Sequence, residues 1–328
     1  MTDATGLYRR KRFLLMTLDP VHIGTGGQRL GRVDNSIVRE PGTRLPKIPG
    51  TSLSGAIRQY AAMRYESRRC AGSGQANGKG KGHCQDPKCP VCYTFGYLKG
   101  RDGGQSGTVS IGDARLLVFP VYSMAGPVWV ISPSVLSDFG AQEADPGDQV
   151  LLPAALSGHR HLNLGWLMLE KGGETFSWPL NIAGMPTDIL DRTVLVSDKL
   201  FSQIVNSNLE VRTSVSINPE TGAADAGKLF TYEAIPRAAV LWLEAVQDNY
   251  RNEFPETEKK CKVEDFEHGD GEKEKRYIHN AGDVLGEIWK QPIDVLQSGL
   301  KLAEYLGIGG MGTRGFGRVR SLHGEEIA

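Results

Sequence analysis

Four of the five cysteines of the chain lie within one short stretch, at Cys70, Cys84, Cys89 and Cys92. Cys89-Pro-Val-Cys92 is a C-x₂-C knuckle, and the residues before it, rich in Gly and Lys, can wrap. Zinc takes four N or S ligands in a tetrahedron, and clustered thiolates in a reducing compartment supply them. His83 is an alternative fourth donor. With all four positions filled the site is closed, hence structural and not catalytic. Such sites bind with about 10–16 kcal/mol in small zinc peptides, enough to shape residues 71–92. The plainer readings are four ordinary thiols or a disulfide pair. Cys261 has no evident partner.

A second group with chemical potential lies near the C-terminus. Gly307-Ile308-Gly309-Gly310-Met311-Gly312 spells G-x-G-x-x-G, with Arg314, Arg318 and Arg320 beside it. A dinucleotide fingerprint leaves a strand and opens a helix. Here the order is reversed. Val295, Leu296, Leu300, Leu302, Ala303 and Leu306 predict a helix before the glycines, and Phe316 to Leu322 reads as a strand after them. Glycines still let backbone approach a ligand, and successive free N–H groups form an anion nest. With arginines alongside, a phosphate backbone is the fitting guest. A glycine helix cap followed by a turn is the plainer alternative.

These groups need elements to hold them. Arg12 to Leu18 reads as a first strand. The Gly- and Arg-rich loop from Pro20 to Pro49 is long, and such loops are usually functional or disordered. Leu53, Ile57, Tyr60, Ala61 and Arg64 fall on helical spacing, with Thr51 or Ser52 as N-cap. The N-terminus of that helix faces the loop and suits phosphate. Strands are expected across 107–133, a helix over 188–206 with Asp198 starting its second part, and a long β-hairpin around Val211 to Phe230. Residues 237–246 read as a buried strand. Residues 252–276 are dense in charge and read as a solvated, flexible insertion. A further helix is expected from about 281. The order β, α, β … β, α, β predicts an α+β fold: a ferredoxin-like, RRM-like sheet carrying insertions.

Bulk composition agrees with a folded globular chain. Hydrophobic residues make up 40% and charged residues 23% of 328 positions, which excludes a disordered polyelectrolyte. The net charge of zero hides an asymmetry. The first 100 residues carry 17 Lys and Arg against 6 Asp and Glu; the other 228 carry 21 against 32. A basic segment is the electrostatic footprint of a phosphate polymer. No apolar run approaches a membrane span, and the run Phe13 to Leu18 is too short for a signal-peptide core. A cytoplasmic protein without a membrane partner is expected.

Three segments resemble one family. "HIGTGGQRLGRVDNSIVREPGTRLPKIPGTSLSGAIR" resembles the N-terminal signature of the RAMP superfamily of CRISPR proteins, and "GIGGMGTRGFGRV" resembles its C-terminal Gly-rich loop. Between them, "GDARLLVFPVYSMAGPVWVISP" together with "LFTYEAIP" looks like the backbone subunit of the type III-B, or Cmr, effector complex. The matches run in order from residue 12 to 319. The resemblance implies a single RAMP domain over 1–328: a ferredoxin-like palm, a thumb β-hairpin at 208–232 and a Cys-rich zinc insertion at 67–95. It implies copies stacked as a helical filament along a guide RNA (crRNA), with other CRISPR effector subunits and a complementary target RNA cut beside thumb-disturbed positions. It places the catalytic aspartate at Asp34. Guide contacts fall on Ser52, Ser54 and Arg58 and on Gly309, Gly310, Met311, Gly312, Thr313 and Arg314. Relatives usually carry Lys where this chain has Ser54, which weakens the expected phosphate contact there to a hydroxyl hydrogen bond.

RNA brings its own nucleophile, the 2′-hydroxyl, so cleavage needs that oxygen deprotonated and in line with phosphorus. A carboxylate does this as a base or by holding Mg²⁺ or Mn²⁺. Asp34 lies among Arg29, Arg32 and Arg39, which favours its ionised form; an Asx turn with Asn35 is the structural alternative. His22 is a second candidate acid or base, and Tyr232 and Glu233 follow the hairpin toward the same region. Lys47 and Arg44 read as phosphate contacts. Two other functions compete: a non-catalytic RNA-binding structural subunit, and a metal-independent endonuclease processing guide precursors with His22.

Overall fold

The computed structural model describes residues 6–26, 33–72, 88–98, 104–255, 261–267, 273–279 and 287–327. Arg29, Arg32, His83 and Cys84 lie outside them.

Six elements make the core: β1 (Tyr8–Thr17), α1 (Gly50–Arg64), β2 (Ala114–Val121), β3 (Val240–Asp248), α2 (Pro292–Leu306) and β4 (Val319–Ile327). Their strands lie in the order β4-β1-β3-β2, all antiparallel, which is the ferredoxin-like arrangement that the βαββαβ succession requires. Register pairs Phe13 with Leu243, Leu14 with Trp242 and Leu15 with Leu241. Phe13, Leu14 and Leu15 are all buried, so the sheet is covered on both faces. That explains why β1 reads as a continuous apolar run and not as a strict alternation.

The two helices carry the apolar stripes read from sequence: Leu53 and Ile57 on α1, Leu296, Leu300 and Ala303 on α2. They approach closely at Gly299, where an added Cβ would lie 2.3 Å from the Ile57 carbonyl oxygen. α2 begins with a capping box, Gln291 with Asp294, and Pro292 at its first position. Residues 281–286, where the expected helix would begin, lie outside the described residues, and α2 itself starts at Pro292.

Beyond β2 the sheet continues through Val128–Ile131, Thr193–Leu195, Val150–Leu152, Leu167–Thr175 and His161–Leu164 to give a large mixed sheet. The stretch expected as one helix over 188–206 is broken in two, Thr187–Asp191 and Asp198–Ser207, with the strand Thr193–Leu195 between them. Thr193 and Val194 are β-branched, and this short strand runs parallel to Val128–Ile131 in the buried sheet. Asp198 does start the second helix. A β-hairpin, Glu210–Ile217 paired with Ala224–Ala234, stands apart from the main sheet. Within the charge-dense stretch, Cys261–Glu267 pairs with Lys273–His279, so that segment has regular structure.

Candidate nucleic-acid interface

One end of the core sheet collects the loops of interest. There Thr17 pairs with Val319 and Met16 with Val240, so β1 finishes where β3 and β4 begin. The loop leaving β1, the hairpin entering β3 and the Gly-rich turn entering β4 must therefore meet.

The loop after β1 is stitched to the second hairpin strand on both of its arms. Val21 and Ile235 exchange hydrogen bonds of 2.8 and 2.9 Å. Further on, Asn35 donates to the Thr231 carbonyl and accepts from Glu233 N–H, each at 3.0 Å. The loop also folds on itself, with Gly24 bridged to Ile37. Four isolated bridges, two to the hairpin side and two within the loop, hold its described residues.

Asp34 sits in this pairing. Its Oδ2 accepts from the Thr231 N–H and from the Thr231 hydroxyl, both at 2.8 Å. Its own N–H donates to the same hydroxyl oxygen at 2.9 Å. No bond reaches Oδ1 among the described residues, and the side chain is exposed. The Thr231 amide, followed by the Thr231 hydroxyl, holds the Asp34 carboxyl below the usual carboxylate range. Asp34 is thus an ionised carboxylate with one oxygen fixed and one open.

His22, earlier in the same loop, bonds the hairpin strand at Glu233, two residues on from the Thr231 that holds Asp34. Its Nδ1–H donates to the Glu233 carbonyl at 2.6 Å, and its ring meets Tyr232 edge-on at 5.6 Å. The imidazole is buried, 7% exposed. Glu233 is buried too: Arg39 contacts one carboxylate oxygen at 2.6 Å, and the Ile37 N–H donates to the other at 3.2 Å. Both of its oxygens are occupied.

The Gly-rich turn packs directly on this loop. Gly310 N–H donates to the His22 carbonyl at 3.0 Å, Gly317 N–H to Pro20 at 2.9 Å, and Ile308 N–H to Gly317 at 2.8 Å. Gly309 has φ +92°, and a Cβ there would stand 2.5 Å from both the His22 carbonyl oxygen and Ile23 Cδ1. Glycine is required by contact and by conformation together. Some amides of the expected nest are therefore taken up by protein carbonyls. Those of Gly309, Met311, Gly312 and Thr313 make no protein hydrogen bond among the described residues. Met311 adopts the left-handed conformation, and Thr313 and Arg314 are exposed on the turn. Arg212, at the hairpin base, stacks 4.9 Å from the Phe316 ring centroid and contacts the Gly315 carbonyl at 3.4 Å.

The helix end is arranged differently from its sequence reading. Pro49, not Thr51 or Ser52, is the N-cap of α1, and no side chain of the cap itself bonds the helix. The Asp113 carboxylate instead accepts the Gly50 N–H at 2.7 Å and the Lys47 ammonium at 2.5 Å. Lys47 also reaches Glu40 at 3.2 Å. Asp113 first, then Glu40, raises the Lys47 ammonium above its ordinary value. Lys47 lines a cleft of about 460 Å³ with Glu40, Asp113 and Arg115. Ser52 and Ser54 are half-buried on the first turns of α1. Arg58 is on the same helix and donates through Nε to the Cys70 carbonyl at 2.7 Å.

That bond ties the helix to the cysteines. Cys70, Cys89 and Cys92 are buried, with sulfurs all within 4.8 Å of one another. Cys89 caps the short helix Pro90–Phe95, its sulfur accepting from Cys92 N–H at 3.4 Å. The Sγ atoms of Cys70 and Cys89 are 3.5 Å apart.

The structure gathers His22, the 309–314 turn and Asp34 around the second hairpin strand and the loop after β1, and packs Cys70, Cys89 and Cys92 against Ala61 and Ala62 in the C-terminal half of α1. Thr231, Asp113 and Arg212 were missed. Thr231 sits in an ordinary strand alternation, and nothing in the sequence marks it.

The βαββαβ core with strand order β4-β1-β3-β2 is a ferredoxin-like fold. The chain belongs to the RAMP superfamily, whose family model matches residues 14–320. It is 28% identical over 244 residues to the CRISPR system Cmr endoribonuclease Cmr4 of Pyrococcus furiosus, covering 68% of this chain and 76% of that protein. Its fold matches the crystal structure of oligomeric Cmr4 from Pyrococcus furiosus with a TM-score of 0.56 at 18% identity, over 98% of this chain and 100% of that one. It also matches a chain of the cryo-EM structure of the Type III-B Cmr-beta bound to cognate target RNA, with a TM-score of 0.60 at 13% identity, over 95% and 97%. The chain is Cmr4-like. Among the described residues, no helix is long and apolar enough to cross a membrane.

Proposed function

We propose that this protein is the guide-RNA-binding backbone subunit of a type III CRISPR effector and that it cleaves complementary target RNA. The observation that carries this reading is Asp34: ionised, exposed, and held at the base of the projecting hairpin beside the Gly-rich turn. The names of the relatives supply the class of reaction and the setting. The hairpin acts as the thumb that separates guide from target. Copies of the chain repeat along the guide with other effector subunits, as the oligomeric relative suggests. The free amides of Gly309, Met311, Gly312 and Thr313, the Arg314 side chain and the α1 residues Ser52, Ser54 and Arg58 line the guide path. Lys47 joins them by exchanging a carboxylate for a phosphate.

Chemically, the 2′-oxygen of the distorted nucleotide attacks the adjacent phosphorus and the 5′-oxygen of the next nucleotide leaves. The products are a 2′,3′-cyclic phosphate and a 5′-hydroxyl. The open Oδ1 of Asp34 is the atom placed to take the 2′-hydroxyl proton. Bound Mg²⁺ or Mn²⁺ would supply charge neutralisation at the phosphate. The residues fit such an ion only in part: no cluster of three ligating side chains surrounds Asp34 among the described residues, so Asp34 would be its one protein ligand there, with RNA oxygens and water supplying the others. His22, buried and bonded to Glu233, is better suited to positioning the loop than to proton transfer, which disfavours guide-precursor processing.

Zinc fits the cysteine group. Bonds of about 2.3 Å in a tetrahedron separate sulfurs by about 3.8 Å, close to the Cys70–Cys89 spacing. The fourth ligand expected from sequence, Cys84 or His83, lies outside the described residues.

The test is a reconstituted complex carrying Asp34→Asn. Target cleavage is lost while guide occupancy and target binding persist. Undiminished cleavage by that complex would leave a purely structural RNA-binding subunit.

A further inference from the structure

We propose that Thr231 is a positioning residue for Asp34, fixing carboxylate Oδ2 to the hairpin so that Oδ1 is presented to the RNA in step with hairpin placement. This rests on the functional reading above and extends it to a residue outside the loop that carries Asp34.

The geometry is a closed ring. Asp34 N–H donates to Thr231 Oγ1 at 2.9 Å, and Thr231 Oγ1–H donates onward to Asp34 Oδ2 at 2.8 Å. A hydroxyl has one proton to give and lone pairs to accept, and here it does both toward one residue. The Thr231 N–H adds a second bond to the same Oδ2 at 2.8 Å. An exposed carboxylate on a loop ordinarily samples several rotamers. Two donors on one oxygen remove that freedom and leave the other oxygen with a defined direction. Because both donors belong to the hairpin strand, the carboxylate follows the hairpin and not merely its own loop. The backbone pairing on either side, Asn35 N–H to Thr231 and Glu233 N–H to Asn35, does not involve the hydroxyl. It survives removal of the hydroxyl, so the side chain can be tested apart from the fold.

The experiment uses the reconstituted complex with full-length chain, in single-turnover cleavage of complementary RNA. Thr231→Val keeps the shape and deletes the hydroxyl. The expected result is a rate loss of about tenfold or more, since misplacing a reacting group by an ångström costs on that order or beyond. Target affinity and guide occupancy stay at the wild-type level. Thr231→Ser restores the hydroxyl and recovers the rate to within about threefold. Adding Thr231→Val to Asp34→Asn produces no further loss. Wild-type cleavage by Thr231→Val, with Asp34→Asn inactive, overturns the positioning role alone. Equal loss in an assembled Thr231→Ser complex does the same, and it decides the matter even where the Val variant does not assemble. If Asp34→Asn cleaves normally, the catalytic reading fails first and this proposal fails with it.

Discussion

Gly309 and Gly310 are neighbours with opposite expected responses to alanine. At Gly309 the backbone has φ +92°, and the new Cβ would overlap the His22 carbonyl oxygen at 2.5 Å, a distance that real Cβ atoms do not show. The turn has to retreat from the loop by about 0.5 Å or more to relieve that contact. Holding alanine in this backbone region costs about 1–3 kcal/mol. Retreat breaks the Gly310 N–H to His22 hydrogen bond, about 1 kcal/mol more. The sum is about 2–4 kcal/mol. For 328 residues the unfolding entropy is about 0.7 kcal/mol/K, so Gly309→Ala lowers Tm by about 3–6 °C. At Gly310 the added Cβ meets His22 Cδ2 at 3.5 Å and the His22 carbonyl oxygen at 3.8 Å, both ordinary contacts. Gly310→Ala therefore stays within about 1 °C of wild type. Calorimetry of the purified chain gives both Tm values, and filter binding of guide RNA reports whether the displaced turn still grips. Equal melting of both variants and wild type would refute the claim that His22 and the Gly-rich turn are locked through this one contact.

Three further outcomes follow from the same contacts. Glu233→Ala removes the counter-charge of Arg39, which keeps its hydrogen bonds to Asn206 and the Ile37 carbonyl, and costs about 3–5 kcal/mol in urea unfolding, more than any exposed hairpin substitution. Burial pushes the Asp113 carboxyl up, but the Lys47 ammonium and the Gly50 amide outweigh it, and the group ends below its ordinary value. Its contribution is therefore present at neutral pH and is lost as pH falls through the folded value. Asp113→Asn costs about 1–2 kcal/mol at pH 7 and flattens the decline of stability below about pH 4 in a pH series of melts. Cys89→Ser lowers bound zinc, measured by atomic absorption, from one ion per chain toward none, and it lowers Tm together with it.

The core was legible because its signals are local. Leu53 and Ile57 repeat at helical spacing on α1, and Phe13 to Leu15 form a run that only a doubly covered strand accommodates. The hairpin announced itself through alternation on both sides of a small-polar loop. What stayed hidden depends on partners distant in sequence. The side chain that accepts the first amide of α1 is Asp113, 63 residues away from Gly50, so a search for Thr or Ser at the helix start had nothing to find. The residue holding Asp34 is 197 positions downstream. The helix expected over 188–206 failed at Thr193–Leu195, where pairing with a neighbouring strand overrides the helical spacing. Resemblance to a family pointed to Asp34; only the fold shows what steadies it.

The pairing of Thr17 with Val319 closes a span of 302 residues. The loop that carries Asp34 and the turn against His22 face each other only when that span is closed. The candidate site therefore forms together with the whole core sheet, and neither segment by itself can hold it.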